Sequence, residues 1–256
     1  MKLSTKKIVY ISGTLMFLAM IAYVWVLCYP QALFQHSLTH RSITVYSETE
    51  IDSRWKSVID QSLSLIQNSE LIETQPKINV MLVANTKYRR LESLLASPVL
   101  AKASQNNVFL NGDIEFDRRR IRGFVLEMDL IRTLAHEMTH CLENARYGIN
   151  DTALDWKREG YAEYISHHSD RTAPDYRLTT LLEQYESQIA DSDGSAEWME
   201  ISAGVLVPPL YVRWRLLVEY LMDVKGMSYD QIRTTSVSDA AVYEELRQMI
   251  KQKNVE

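Results

Sequence analysis

The chain has 256 residues, of which 46% are hydrophobic and 24% are charged. This length and composition are typical of one globular domain, and they exclude a disordered protein, a collagen-like chain and a disulfide-rich miniprotein. The formal net charge of −5 offers no overall basic surface, so we expect no nucleic-acid partner. Cys28 and Cys141 lie in very different segments, and we expect no disulfide between them.

The first predicted element is a membrane-spanning helix. Residues 8–28 carry no charge, and a helix of this length measures about 30 Å, the thickness of the hydrocarbon core of a bilayer. Lysines precede the segment at positions 2, 6 and 7, and the next Lys or Arg is Arg41. The positive-inside rule therefore predicts a single-pass protein with a cytoplasmic N-terminus. The predicted segments are the N-terminus (1–7), the anchor (8–29), a spacer (30–41) and an extracytoplasmic domain (42–256).

A cleaved signal peptide is the alternative interpretation of the same segment. Signal peptides have a shorter apolar region and end in a small-x-small site. The residues Val26-Leu27-Cys28 do not form such a site, which favours an uncleaved anchor. Both interpretations place the domain outside the cytoplasm, which means the periplasm or the outer surface if the source is bacterial.

The rest of the chain is predicted to mix strands with helices first and to end in helices alone. Short apolar or alternating runs predict the strands, and apolar residues at helical spacing predict the helices. Gly148 and Gly226 stand where helix C-caps are expected. This order predicts an α+β fold, with a small mixed sheet beside a mostly helical lobe. The predicted strands are 42–47, 78–83 and 107–110, and the predicted helices are 51–67, 88–96, 124–147, 154–167, 176–190, 208–225 and 240–252.

The motif with the clearest chemistry is His136-Glu137-Met138-Thr139-His140. Residues four apart share one face of a helix, so His136 and His140 can bind the same metal ion. Glu137 lies about 100° around the helix, where a general base can deprotonate a metal-bound water. The structural alternative is a pair of helix histidines that cap or pack near the surface.

A third ligand is expected from the next helix. A catalytic zinc site needs three protein ligands and one open position, and 18 residues separate His140 from Glu159. Gly148 and its neighbours can reverse the chain, and the small Gly160 would let the second helix approach the first. Glu163 is one turn after Glu159 and could accept the N–H of a ligand histidine. A solvated carboxylate is an equally good interpretation of Glu163.

These residues resemble those of the gluzincin metallopeptidases. The shared pattern is His-Glu-x-x-His, 18 residues, and Glu159 within Trp156-Lys-Arg-Glu-Gly-Tyr-Ala162. It is most similar to the aminopeptidase-N branch and to the peptidase MA-like domains. The resemblance implies a zincin-like fold, one Zn²⁺ held by His136, His140 and Glu159, and a peptide or protein substrate.

The resemblance also implies a role for one tyrosine. In the aminopeptidase-N branch, a tyrosine in a Tyr-x-x-Gly-x-x-Leu-x-x-Tyr-Leu segment stabilises the tetrahedral intermediate. This chain has Tyr211-Val-Arg-Trp-Arg-Leu-Leu-Val-Glu-Tyr220-Leu221, with Trp214 in place of the glycine. The implied role falls on Tyr211, and the alternative is a tyrosine packed on the core.

The chain lacks the motif with which these aminopeptidases bind the free amine of their substrate. Those enzymes use a Gly-x-Met-Glu-Asn strand, and the nearest segment, Asn111-Gly-Asp-Ile-Glu115, does not match it. We therefore expect a membrane-anchored zinc endopeptidase. A catalytically silent domain that binds a protein partner and a zinc hydrolase of a non-peptide bond are the alternatives. A peptide substrate could pair with an edge strand at 107–110.

Several other residues are expected to have no role at the site. His36 and His40 are four apart but lie in the predicted spacer without an intervening Glu. His167 and His168 are expected to be solvated, and Cys141 is expected to pack as a small apolar residue. The only basic cluster is interpreted as a solvated loop with acidic counter-charges; it comprises Arg118, Arg119, Arg120 and Arg122.

Overall fold

The fold is mixed α and β, with one apolar helix at the N-terminus. The computed structural model describes residues 5–73, 77–94, 97, 99–123, 126–149, 151–174, 176–191, 198–202 and 205–253. The helices are α1 (Thr5–Cys28), α2 (Trp55–Ile66), α3 (Lys87–Glu92), α4 (Leu130–Tyr147), α5 (Asp155–Ser166), α6 (His168–Arg171), α7 (Leu178–Asp191), α8 (Pro209–Glu219), α9 (Tyr229–Thr234) and α10 (Asp239–Lys253). The strands are β1 (His36–His40), β2 (Ile43–Ser47), β3 (Ile78–Leu82), β4 (Ala101–Ser104), β5 (Asn107–Leu110), β6 (Asp113–Glu115), β7 (Arg120–Arg122), β8 (Glu127–Asp129), β9 (Met199–Ser202) and β10 (Val205–Val207).

Within the described residues, α1 is the one helix long and apolar enough to cross a membrane. Its apolar stretch, Tyr10–Cys28, has 19 residues and a mean hydropathy of 2.1. Residues 1–4 of the predicted cytoplasmic N-terminus lie outside the described part of the chain. The N-terminal helix therefore has the length and composition expected of a membrane span.

The main sheet has five strands in the order β1-β2-β3-β5-β4. β2, β3 and β5 are parallel, and the outer strands β1 and β4 are antiparallel to their neighbours. The parallel strands place Val45 opposite Val80 and Val80 opposite Val108, so one face of the sheet presents a continuous row of fully buried β-branched side chains. α2 and α4 pack on this face.

Two expectations about strands are wrong. The predicted spacer at 30–41 contains β1, which pairs with β2 along its whole length. The predicted edge strand at 107–110 is internal, because β4 covers its outer side. Both β1 (HSLTH) and β4 (AKAS) lack the apolar alternation that marks a buried strand, which explains why the sequence pattern missed them.

The predicted helix at 124–147 begins later than expected. β6, β7 and β8 form an antiparallel sheet of three short strands, and Glu127–Asp129 belong to it. The Asp129 side chain then accepts a hydrogen bond from the backbone N–H of Arg132 and caps α4. Positions 124 and 125 lie outside the described residues, as do 95 and 96 of the predicted helix at 88–96.

The other predicted helices correspond to α2, α5, α7, α8 and α10 within a few residues. The predicted helix at 208–225 continues past α8 as a π-helical turn, Tyr220–Val224. Gly148 and Gly226 have positive φ angles of 85° and 65°, as expected of residues that end helices. β9 and β10, a hairpin, were not predicted from the sequence.

The close helix approach at Gly160 is with α8 rather than with α4. A Cβ at Gly160 would lie 2.5 Å from the backbone oxygen of Trp214, a separation that no side-chain rotation can relieve. The glycine therefore lets α5 and α8 pack at backbone contact. Trp214 is the residue that replaces the glycine of the aminopeptidase-N pattern.

Replacement of Gly160 by Ala is expected to destabilise the protein. Helix propensity alone predicts a gain of up to about 1 kcal/mol, whereas overpacking costs about 1–3 kcal/mol. The clash with Trp214 makes a lower melting temperature the expected result, by about 2–4 °C for each kcal/mol lost. Thermal unfolding of the full chain in detergent measures the change in melting temperature. An increase in the variant would contradict this packing.

Candidate metal centre

The two motif histidines lie on one face of α4 and point at a common position. Their Nε2 atoms are 3.2 Å apart, and both side chains are nearly buried. Asp129 caps the start of α4 and Gly148 ends it, so the helix holds both imidazoles on a rigid element. The expected shared face of His136 and His140 is confirmed.

Glu159 on α5 supplies the third ligand atom. Its Oε2 lies 3.2 Å from Nε2 of His136 and 3.4 Å from Nε2 of His140. Metal bonds of 2.0–2.1 Å at tetrahedral angles place ligand atoms about 3.3 Å apart, which matches all three separations. His136, His140 and Glu159 therefore form a group that could hold a metal ion, as the spacing predicted.

Each imidazole has a carboxylate on its other nitrogen. Nδ1 of His136 lies 2.9 Å from Oε1 of Glu163, and Nδ1 of His140 lies 2.7 Å from Oε2 of Glu143. The hydrogen bond between His140 and Glu143 directs Nδ1–H at a carboxylate and leaves the Nε2 lone pair facing the metal position. Glu163 lies beside the ring of His136 at ion-pair distance but outside hydrogen-bond geometry. Glu163 is buried beside a ligand histidine, as expected, and its alternative as a solvated carboxylate is wrong.

Glu143 is the site residue that the sequence pattern did not reveal. It is 1% exposed, and its second oxygen accepts a hydrogen bond from the hydroxyl of Tyr229 on α9. Its spacing from His140, three residues along the same helix, is a signal that could have identified it. Its burial and its partner on α9 depend on tertiary packing.

Replacement of Glu143 by Gln is expected to weaken metal binding about 10–100-fold. The amide keeps the size of the side chain but loses the charge that orients the ring and makes Nε2 of His140 more basic. Zinc titration against a chromogenic chelator measures the dissociation constant. Glu183→Gln, at an exposed position on α7, is the matched control, and an equal affinity in the two variants would contradict a role for Glu143.

The carboxylates around the two rings also change their proton affinity. Burial opposes the charge on His140, but hydrogen bonds to Glu143 and Glu159 outweigh it and raise the pKa to about 9. The pKa of His136 is also raised, since contacts with Glu159 and Glu163 outweigh burial. A metal ion that binds through Nε2 must displace any proton held there, so metal binding and protonation of these rings compete.

Glu137 and Tyr211 border the same position without belonging to the ligand group. Glu137 is 8% exposed, and burial raises the pKa of its carboxyl group. Tyr211 lies in the first turn of α8, and its ring centroid lies 6.1 Å from that of His136. Burial, then Glu159 and Glu163, raise the pKa of Tyr211, which keeps its hydroxyl group protonated and able to donate a hydrogen bond.

Two open regions meet at these residues. A mainly apolar cavity of about 300 Å³ lies on one side, and the groove beneath strand β4 lies on the other. His136, Glu137 and Tyr211 line both. A molecule bound across them would pass directly over the metal position. The cavity walls include Leu100, Leu126, Met128, Val207 and Pro208.

The structure corrects one further expectation about histidines. His167 is 5% exposed rather than solvated, and its Nδ1 lies 3.2 Å from Oε2 of Glu163. His168 is half-buried. His40 lies on β1 with its Nε2 3.0 Å from Asp60, and the three-ligand group found in the described residues does not include it.

Two further expectations concern the cysteines and the basic cluster. Cys141 is buried, as expected, and Cys28 and Cys141 are both free. The basic cluster is not a loop, since Arg120 and Arg122 belong to strand β7. Its acidic counter-charges are present, because Arg122 contacts Glu115 and Arg120 lies 2.9 Å from Glu127.

The chain was compared with protein-family models, curated proteins and solved structures. No family model, no curated protein and no solved structure matches it. The resemblance to the gluzincins therefore stays a prediction from the motif residues.

Proposed function

We propose that this chain is a membrane-anchored, zinc-dependent peptidase with a zincin-like fold, related to the gluzincins. The observation that carries the proposal is the set of three mutual distances among the ligand atoms of His136, His140 and Glu159, 3.2, 3.2 and 3.4 Å. Two imidazoles and one carboxylate are the ligand set of catalytic zinc in several hydrolases, with the fourth position open to water. The hydrogen bond between Nδ1 of His140 and Glu143 supports the same assignment.

Each neighbouring residue has a role in the proposed reaction. Zinc bound here would lower the pKa of a coordinated water toward about 7. With zinc bound, Glu137 would hold the proton that peptide hydrolysis must move from the attacking water to the leaving amine. The hydroxyl of Tyr211 donates a hydrogen bond to the oxygen that becomes negative in the transition state.

Strand β4 offers a place for an extended peptide. It is an edge strand of the described sheet, and residues 101–104 line the groove together with His136 and Glu137. A peptide that pairs with this edge would gain main-chain hydrogen bonds and lay one peptide bond over the metal position. We therefore propose strand β4 (101–104), rather than the predicted strand at 107–110, as the edge that binds the peptide.

An endopeptidase fits this groove better than an aminopeptidase. Among its described lining residues, the only carboxylates are Glu137 and Glu159, and both have roles in the reaction. The other charged residues there are Lys102 and Arg158, which do not attract a free amino terminus. The positive-inside rule applied to α1 puts the groove on the side of the membrane opposite the N-terminus.

The proposal is tested by metal content and by turnover of the full chain in detergent. We expect about one zinc ion per chain, and hydrolysis of a mixed fluorogenic peptide library that stops on chelation and returns with zinc. Bound zinc without peptide hydrolysis would favour the silent domain or the hydrolase of a non-peptide bond. Absence of bound metal would overturn the proposal.

Replacement of Tyr211 by Phe is expected to lower kcat about 10²–10³-fold. The ring would keep its packing on Trp214, 5.6 Å between centroids, so zinc content and KM should change little. Steady-state kinetics on the best library peptide measures the effect. A kcat equal to that of the wild type would remove Tyr211 from the reaction and leave it as a packing residue.

A further inference from the structure

The end of α1 is packed against the domain. Tyr23, Val26, Leu27 and Pro30 follow the three- and four-residue spacing of one helix face, and all four are half-buried or buried. This face covers the side of the main sheet opposite α2 and α4. Leu27, with Leu33 and Phe34, packs there on an apolar cluster of Met81, Val83, Tyr88 and Phe109.

This packing fixes the end of α3 beside the last turns of α1. The hydroxyl of Tyr23 donates a hydrogen bond to the backbone oxygen of Leu91, at 2.8 Å. Tyr23 precedes Cys28, the last residue of α1, by about 7.5 Å along the helix axis at 1.5 Å per residue. If α1 spans a bilayer, the end of α3 therefore lies beside the outermost part of the span.

The surface around the end of α3 has the composition of a membrane-contacting surface. Leu94 is 74% exposed and Val99 is 52% exposed, while Lys87 and Arg90 on α3 are exposed as well. Apolar side chains flanked by cations favour the boundary between lipid headgroups and acyl chains. We call Lys87, Arg90, Leu94 and Val99 the α3 surface.

The same surface leads directly into the candidate site. Val99 and Leu100 line the apolar cavity together with Glu137 and Tyr211, and β4 begins at the next residue, Ala101. Lys102 of β4 pairs with Glu92 of α3, so the start of the edge strand and the entrance to the cavity lie beside α3.

We propose that the α3 surface contacts the lipid bilayer beside α1, so that the candidate site opens at the membrane surface. The contact depends on α1 being a membrane span. If the chain is the peptidase proposed above, this contact implies that its substrates are peptide segments next to a membrane, such as the juxtamembrane part of a membrane protein. We assign a bilayer as the partner of this surface because α3 packs on α1, and α1 is the one described helix that is long and apolar enough to cross a membrane.

The contact is tested by fluorescence quenching in vesicles. In a Cys28→Ser background of the full chain, single cysteines are introduced by Leu94→Cys, by Phe17→Cys in α1 and by Val237→Cys, and each is labelled with an environment-sensitive fluorophore. Cys141 is buried and should stay unlabelled. Val237 is 41% exposed and lies between α9 and α10, on the side of the sheet that carries α4 and α5. Separate vesicle preparations contain lipids brominated near the headgroup end and near the methyl end of the acyl chain.

We expect bromine to quench the fluorophore at position 94, as at position 17, and to leave that at position 237 unchanged. Quenching at 17 with none at 94 would overturn the contact, and no quenching at 17 would overturn its premise that α1 is embedded. Neither readout needs zinc or turnover, so failure of the peptidase proposal remains distinguishable. In the active protein, a library peptide should be cleaved faster when attached to a lipid than when free, and equal rates would overturn the substrate class.

Discussion

Replacement of Glu137 by Gln is expected to lower kcat about 10²–10⁴-fold while the protein keeps its zinc. Glu137 lies outside the ligand group, so the amide should not disturb the three distances that define the metal position. It is also nearly buried among His136, His140 and Glu159, where an amide of the same shape can pack but cannot accept a proton. The expected result is a zinc-bound protein that binds peptide and does not cleave it.

Two measurements separate this result from simple damage. Metal analysis and melting temperature should match those of the wild type, and kcat should fall with little change in KM. Glu244→Gln, at an exposed position on α10, is the matched control and should keep full activity. A Glu137→Gln variant that turns over at the wild-type rate would show that another group activates the water, and the proposed reaction would be wrong.

Replacement of His140 by Ala is expected to abolish zinc binding. The change removes one of three ligand atoms, and it also leaves Glu143, 1% exposed, without its imidazole partner. Glu143 keeps the hydroxyl of Tyr229 and Arg158, 3.7 Å away, so the loss of stability should be smaller than the loss of about 3–5 kcal/mol that is usual when a buried charge loses its partner. Metal content and thermal unfolding should therefore change together.

The matched control is His40→Ala. His40 belongs to the chain's other pair of histidines four residues apart, but it lies on β1 beside Asp60, so its loss should leave zinc content unchanged. Zinc should also raise the melting temperature of the wild type, since a ligand at 100 times its Kd stabilises the folded state by about 2.7 kcal/mol. A His140→Ala variant that still responds to zinc in this way would place the metal elsewhere.

The metal ligands could be predicted from sequence because each lies on a long helix with a recognisable period. His136 and His140 share a face of α4 by spacing alone, and Glu159 needs only a chain reversal and a second helix. The spacing of Glu143 from His140 is a signal of the same kind, but the burial of Glu143 and of His167 could not be predicted in this way. Their burial depends on α9 and on the packing of α5, which are contacts between segments far apart in the chain.

The sheet was less predictable than the helices, for a related reason. β6, β7 and β8 have three residues each, too few to show a period of two against the helical pattern that follows. β1 and β4 lie at the edges of the sheet, where one side of a strand has no neighbour to require apolar residues. Strand order depends on long-range pairing, which is why β4 rather than β5 is the edge above the site.

The packing of α1 on the sheet has a practical consequence for preparing this protein. A truncation that removes the anchor up to Phe34 would uncover Met81, Val83, Tyr88 and Phe109, which are 0–3% exposed in the full chain. A newly exposed apolar patch of this kind promotes aggregation. Expression of the domain alone should therefore yield insoluble material unless the shortened chain retains Tyr23 to Phe34 or a detergent covers the patch.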